Sequence, residues 1–166
     1  MKQLSMIWIF LMMTVFSLPA RGEDSTLLFT LKTEVNRTTL KNELRAGLWK
    51  GGKDGVDPLD MEAMLNGLFD VYFETTLSSG GSGHPLWWDI RSINPFQEWK
   101  LQLKAPPSQP VVMEWKQVPY DPLHNSILYT LVDLETGRET DLEEESGTLT
   151  FSTSGARTFT LKSRPR

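Results

Sequence analysis

Residues 87–91 bring two aromatic rings and an opposite pair of charges into five consecutive positions, Trp87-Trp88-Asp89-Ile90-Arg91. Side chains alternate between the two faces of a β-strand, so Trp87, Asp89 and Arg91 share one face. Trp88 then fills the core, together with Ile90. An aromatic ring beside a carboxylate and a guanidinium suits a sugar ring or the anchor residue of a protein partner. We expect Trp87, Asp89 and Arg91 to form a ligand-binding face, unless Trp87 is covered and the two charges form only a surface ion pair.

Four carboxylates crowd one glycine-containing segment, GGKDGVDPLDME, at residues 51–62. Calcium takes six to eight oxygen ligands in relaxed geometry, and clustered acids in a loop supply them. The spacing is not that of an EF-hand, which places acids at alternate positions ahead of its glycine. The alternative is a solvated acidic loop in which Asp57 caps a short helix. The candidate calcium ligands are Asp54, Asp57, Asp60 and Glu62.

No catalytic constellation is recognisable in the chain. The two histidines, His84 and His124, both fall in predicted loops and do not form an HExxH zinc motif. Ser82 is followed by Gly83 and then His84, which does not complete the G-x-S-x-G pattern of a nucleophile elbow. The sequence therefore predicts a protein that is not an enzyme and has no cofactor, with calcium in the acidic loop as the alternative. A small secreted hydrolase ranks third among the functions considered, after the two described at the end of this section.

The N-terminus has the three-part order of a secretory signal peptide. Lys2 precedes the apolar run IWIFLMMTVFSL, which ends in Pro19-Ala20-Arg21-Gly22. Twelve apolar residues are too few for a spanning helix, which needs about 20. We expect residues 1–22 to be cleaved and residues 23–166 to form one domain without a membrane span. The expected location is secreted, periplasmic or at the cell surface.

Charge and cysteine content exclude one class of partner and one kind of cross-link for the mature chain. Removing Lys2 and Arg21 with the leader leaves 15 basic residues against 21 acidic ones. A net negative charge argues against nucleic acid, whose phosphates are held by Lys and Arg. The chain contains no cysteine, so no disulfide framework stabilises the domain.

A period of two dominates the mature chain and predicts β-strands with one buried face. Phe69, Val71 and Phe73, for example, alternate with Asp70, Tyr72 and Glu74. Glycine, proline and serine turns separate these runs every 8–15 residues or so, which is typical of an all-β sandwich. The exception is Leu59–Asn66, which predicts one short helix or turn. The other predicted strands cover residues 29–35, 44–49, 99–104, 111–116, 127–134, 138–142, 147–152 and 158–163.

The C-terminal half resembles secreted bacterial immunoglobulin-like modules. A hairpin at Leu131–Leu142, with Gly137 at a turn position that needs positive φ, precedes two final strands. The step Asn94-Pro95-Phe96 opens this half. Similar endings occur in the immunoglobulin-like domain of flagellar hook-cap proteins and in secretion-system C-terminal sorting domains. The resemblance implies an immunoglobulin-like antiparallel β-sandwich.

Together these features predict a secreted, non-catalytic binding or structural module. Its expected partner is another protein of an extracellular assembly, or a second copy of itself, reached through strand edges or loop tips. The runner-up is a carbohydrate-binding module that uses Trp87, Asp89 and Arg91 to hold a glycan.

Overall fold

The computed structural model describes residues 25–75, 83–118, 127–143 and 145–165. The signal peptide predicted at residues 1–22 and the histidine at position 124 lie outside the described residues. Within the described residues the chain is all-β and contains no helix. The strands are β1 (Ser25–Val35), β2 (Thr38–Leu48), β3 (Met61–Glu62), β4 (Asp70–Thr75), β5 (His84–Arg91), β6 (Glu98–Lys104), β7 (Pro110–Val118), β8 (Ile127–Asp133), β9 (Glu139–Asp141), β10 (Ser146–Ser152) and β11 (Ala156–Pro165).

Alternation of apolar and polar residues places one face of the long strands in the core. Val71 and Phe73 of β4 are fully buried, whereas Tyr72 between them is half-buried. The same phase holds in β6, where Leu101 is buried and Lys100 is exposed. The predicted all-β class is therefore confirmed, because burial follows the period of two. The largest core side chains include Phe29, Phe69, Phe73, Trp99, Tyr129 and Phe159.

All the strands belong to one strongly curled mixed sheet, a half-barrel whose concave side holds the core. The strand order is β10-β7-β1-β2-β5-β4-β6-β11-β8-β9, and β3 pairs with β5 outside this path. Two separate antiparallel sheets were expected, but the pairing is continuous. One pair is also parallel, since Arg45–Leu48 of β2 runs alongside Trp88–Arg91 of β5.

Of the short helix or turn expected near residues 59–66, the helix is wrong. Pro58 and Leu59 form a turn, and Met61–Glu62 is the short strand β3. The Ala63 N–H then donates to the Pro85 carbonyl at 3.0 Å. The apolar spacing of this segment suits a helix turn, but pairing with β5 supplies its backbone hydrogen bonds instead. Tertiary contacts override a weak local preference of this kind.

Two tight turns use left-handed backbone conformations. Gly137 between β8 and β9 has a φ of 68°, which confirms the predicted hairpin turn. Asn36 and Arg37 join β1 to β2 with φ values of 51° and 65°. Consecutive positive φ values match the twist of a two-residue hairpin loop.

The curl brings β10, at one end of the sheet, against β11 near the other end. The rings of Phe151 and Phe159 lie 5.2 Å apart between centroids. The Arg157 guanidinium stacks 4.8 Å from the Phe151 centroid and 5.6 Å from that of Phe159. Arg157 also donates to both oxygens of Asp133 on β8 and to the Ser152 carbonyl on β10. We call this group of five residues the seam.

Candidate functional site

The structure places Asp89 and Arg91 on the core face of the sheet. They pair in register with Ala46 and Leu48, whose side chains are buried. Asp89 is fully buried and the Arg91 side chain is only 14% exposed. Trp87 is half-buried and packs against the core, whereas Trp88 is 37% exposed. Of the two residues expected in the core, Ile90 is buried and Trp88 is not.

A dense set of hydrogen bonds explains why a charged pair tolerates this burial. Arg91 donates from Nε and Nη2 to the two carboxylate oxygens of Asp89, both at 2.9 Å. The Thr75 hydroxyl donates to Asp89 Oδ2 at 2.7 Å, and the Trp99 indole N–H donates to the Asp89 carbonyl at 3.2 Å. The guanidinium also lies 5.2 Å from the Trp99 ring centroid. Buried charges are retained when each is paired and hydrogen-bonded. The ligand-binding role of Trp87, Asp89 and Arg91 stays a prediction, and the burial of Asp89 argues against it.

A polar pocket of about 410 Å³ opens beside this pair. Arg91 and Trp99 line it together with Glu74 and Lys100. Lys100 Nζ lies 2.6 Å from Glu74 Oε2, and Gln102 donates to the same oxygen at 2.7 Å. The hydrogen bond from Lys100, followed by that from Gln102, lowers the pKa of Glu74. Lys100 and Glu74 of this wall thus neutralise each other, and Arg91 is paired with Asp89.

The acidic loop binds the body of the protein rather than gathering its carboxylates around one point. Asp54 accepts hydrogen bonds from Ser92 and Gln97, and the hydrogen bond from the Ser92 side chain is the first cause of its lowered pKa. Asp57 accepts the backbone N–H groups of Lys53 and Leu59 at 2.8 and 2.7 Å.

The other two predicted calcium ligands also have protein partners. Asp60 accepts the N–H groups of Ile90 and Asp57, both at 2.8 Å. Burial raises the pKa of Asp60 to about 6. Glu62 lies 3.6 Å from the His84 imidazole. Over the described ranges, no three His, Asp or Glu side chains come together to hold a metal ion. The calcium role stays a prediction.

Among the described strands, β10 lies at an edge of the sheet. Within the described residues its backbone pairs with β7 on one side only. Ser146, Thr148, Thr150 and Ser152 are exposed, and the three residues between them are half-buried. None of the seven residues SGTLTFS carries a charge, and none is proline. An edge strand of this kind is a template for another strand, although its last carbonyl, that of Ser152, already accepts a hydrogen bond from Arg157.

The opposite edge of the sheet is protected. Strand β9 has only three residues, and its flanking positions are the acidic Glu139 and Asp141. Short length and charged side chains are the usual means by which proteins prevent edge pairing. The contrast singles out β10 as the candidate interaction edge. The sequence signal for it was the uncharged run at residues 146–152, which periodicity alone does not distinguish from an interior strand.

Apolar side chains are also exposed beyond the sheet edges. Met64 is 77% exposed and Phe96 is 69% exposed. Leu65 and Leu68 are about half exposed in the connection between β3 and β4. These side chains come from two different connections.

The described part of the chain contains no helix long and apolar enough to cross a membrane.

No family model, no curated protein and no solved structure matches this chain.

Proposed function

We propose that this protein is a secreted, non-catalytic binding or structural module that joins a protein assembly outside the cytoplasm. The contact is made by the edge of β10. The observation that carries the proposal is a seven-residue edge strand with four exposed side chains and without charge, proline or bulge. Natural sheets normally block such edges, because an open edge pairs with any strand that reaches it. An open edge therefore suits a binding mode in which a strand of the partner adds to the sheet.

Secretion and the immunoglobulin-like kinship belong to the same proposal. Leader cleavage after Gly22 would leave Glu23 as the first residue of the mature chain. Mass spectrometry of the exported protein tests this position. The kinship is supported by the β8–β9 hairpin and by the antiparallel pairing of β11 with β6 and β8.

Carbohydrate binding is the second candidate, and the pocket beside Arg91 is the observation that favours it. Its wall offers Lys100 and Glu74 as hydrogen-bonding groups for a sugar. Retention on a panel of polysaccharides tests this candidate. It requires that Lys100→Ala lose retention while Lys41→Ala, which alters an exposed ion pair on β2, keeps it.

Site-specific photocrosslinking tests the proposed function. A benzophenone amino acid replaces Thr150 on the edge in one variant and the exposed Thr39 of β2 in a control. The variants are expressed in the native host, and the exported fraction is irradiated. We expect a discrete adduct from position 150 and none from position 39. Absence of an adduct at position 150, or equal adducts at both positions, would overturn the proposal.

A further inference from the structure

We propose that the strand added to β10 is the β10 of a second copy of this chain, in antiparallel register around Leu149. This inference rests on the proposed function and names its partner. The resulting dimer has a two-fold axis at the edge, and the sheets of the two copies become continuous. Isologous pairing of this kind closes on itself and does not grow into a filament.

The edge is self-complementary in that register. Thr148 lies opposite Thr150 of the second copy, and Ser146 lies opposite Ser152 of the second copy. These residues are all exposed. Cross-strand Thr–Thr pairs stabilise antiparallel ladders, and no like charges oppose each other. The half-buried Leu149 meets its own symmetry mate, which adds apolar contact at the axis.

The inner face of the edge is already filled by its own chain. A Cβ atom at Gly147 would lie 2.0 Å from the Trp115 ring, so that ring covers the glycine directly. Phe151 is held against Phe159 in the seam. The second copy therefore adds through backbone hydrogen bonds and the outer Ser and Thr side chains, without rearranging the core.

Charge selects the antiparallel direction. The acidic residues Glu143, Glu144 and Glu145 immediately precede β10. Parallel pairing would bring the two acidic runs side by side. Antiparallel pairing around Leu149 places Glu145 eight positions from its symmetry mate along the strand direction, roughly 27 Å at about 3.4 Å per residue. That separation exceeds the Debye length of about 8 Å at physiological salt.

Charge and length also exclude the other edge of the sheet as the partner. Strand β9 offers three residues, two of them acidic, and β10 carries no cation to complement them. A seven-residue edge is a small interface. Stable interfaces bury at least about 1,200 Å², so we expect a weak dimer in exchange with monomer.

Two double variants that differ at one position test the register. T148K/T150K places like charges opposite each other across the axis, whereas T148K/T150E places opposite charges there. The substitution T148K lies beside Glu114 of β7 in both variants, so that neighbour is matched. Analytical ultracentrifugation of the mature chain over a concentration series, up to the solubility limit, gives the dissociation constants. Equal thermal midpoints of the two variants in dilute protein establish that both fold.

We expect wild type and T148K/T150E to dimerise, and T148K/T150K to dimerise at least about tenfold more weakly, because like charges face each other twice. A wild type that stays monomeric, or a T148K/T150K variant that dimerises as well as T148K/T150E, would overturn the inference. The photocrosslink then distinguishes a failure of the dimer from a failure of the proposed function. An adduct at position 150 whose mass differs from that of two copies of this chain would overturn the dimer and support the proposed function. Absence of an adduct would overturn both.

Discussion

At the scale of single residues, the neighbouring tryptophans of β5 have different environments. Trp87 packs against the core, while Trp88 is 37% exposed beside Arg45. We expect Trp87→Ala to lower the free energy of unfolding by about 2–3 kcal/mol, since it removes a large ring from packed surroundings. Trp88→Ala should cost about 1 kcal/mol or less. Urea unfolding of both variants measures the difference. Equal losses would mean that Trp87 is not a packing residue.

Asp60 gives the protein a titration near neutral pH. Burial raises the pKa of Asp60 from 3.8 to about 6 in the folded state. A folded pKa above the unfolded value means that the contribution to stability is complete below about pH 4 and is lost as pH rises through 6. We expect the free energy of unfolding to fall over that window in wild type. In Asp60→Asn, which removes the titration, we expect it to fall less. Urea titrations at successive pH values test this expectation, and identical slopes would contradict it.

The environment of residues 87–91 was only partly predictable from the sequence. Alternation correctly grouped Trp87, Asp89 and Arg91 on one face of β5. It put that face in solvent because two of the three residues are charged. The decisive fact is that Arg91 and Asp89, two positions apart on one strand, neutralise each other, while Thr75 from β4 supplies a further bond. That last partner is 14 residues away, so a local pattern does not reveal it.

At the scale of elements, the β1–β2 hairpin has a residue that does not suit its turn. Arg37 has a φ of 65°, a left-handed conformation that costs most residues about 1–2 kcal/mol and costs glycine nothing. Glycine loses more chain entropy on folding, which offsets part of the gain. We expect Arg37→Gly to raise the free energy of unfolding by about 0.5–1 kcal/mol. Arg37→Ala, which removes the same charge without freeing φ, is the control and should give no gain.

The strands were predictable and their connections were only partly so. The period of two marks most of the long strands because one face of the sheet is buried, but in β2 it predicted only residues 44–48. It does not say which strands are neighbours, so the parallel pair of β2 and β5 was not foreseen. Residues 59–66 show the same limit. Their apolar spacing fits a helix, but the Asp60 carboxylate and the Ala63 N–H tie the segment to β5. The spacing of a segment does not reveal a partner far away in the chain.

At the scale of the whole molecule, the seam joins strands from the two ends of the curled sheet. Arg157 of β11 joins Asp133 of β8 to the Ser152 carbonyl of β10, so one side chain links strands from both ends of the sheet order. Both partners of the ion pair have side chains only 10% exposed. Removing one member of a buried pair leaves an uncompensated charge. We expect Arg157→Ala to lower the free energy of unfolding by about 3–5 kcal/mol.

The pH dependence of the free energy of unfolding shows whether Arg157→Ala acts through the lost charge or through lost packing. Burial acts to raise the pKa of Asp133, but hydrogen bonds from Arg157 and Thr136, with the charge of Arg157, hold it at about 2. A lowered folded pKa stabilises wild type above about pH 4, and this contribution is lost as pH falls toward 2. Arg157→Ala should lose part of that dependence, while Arg164→Ala, an exposed change on the same strand, should keep all of it. Hydrogen exchange supplies the spatial test, because an opened seam must speed exchange in both β8 and β10. Faster exchange in β11 alone would show that Arg157 stabilises its own strand and does not close the sheet.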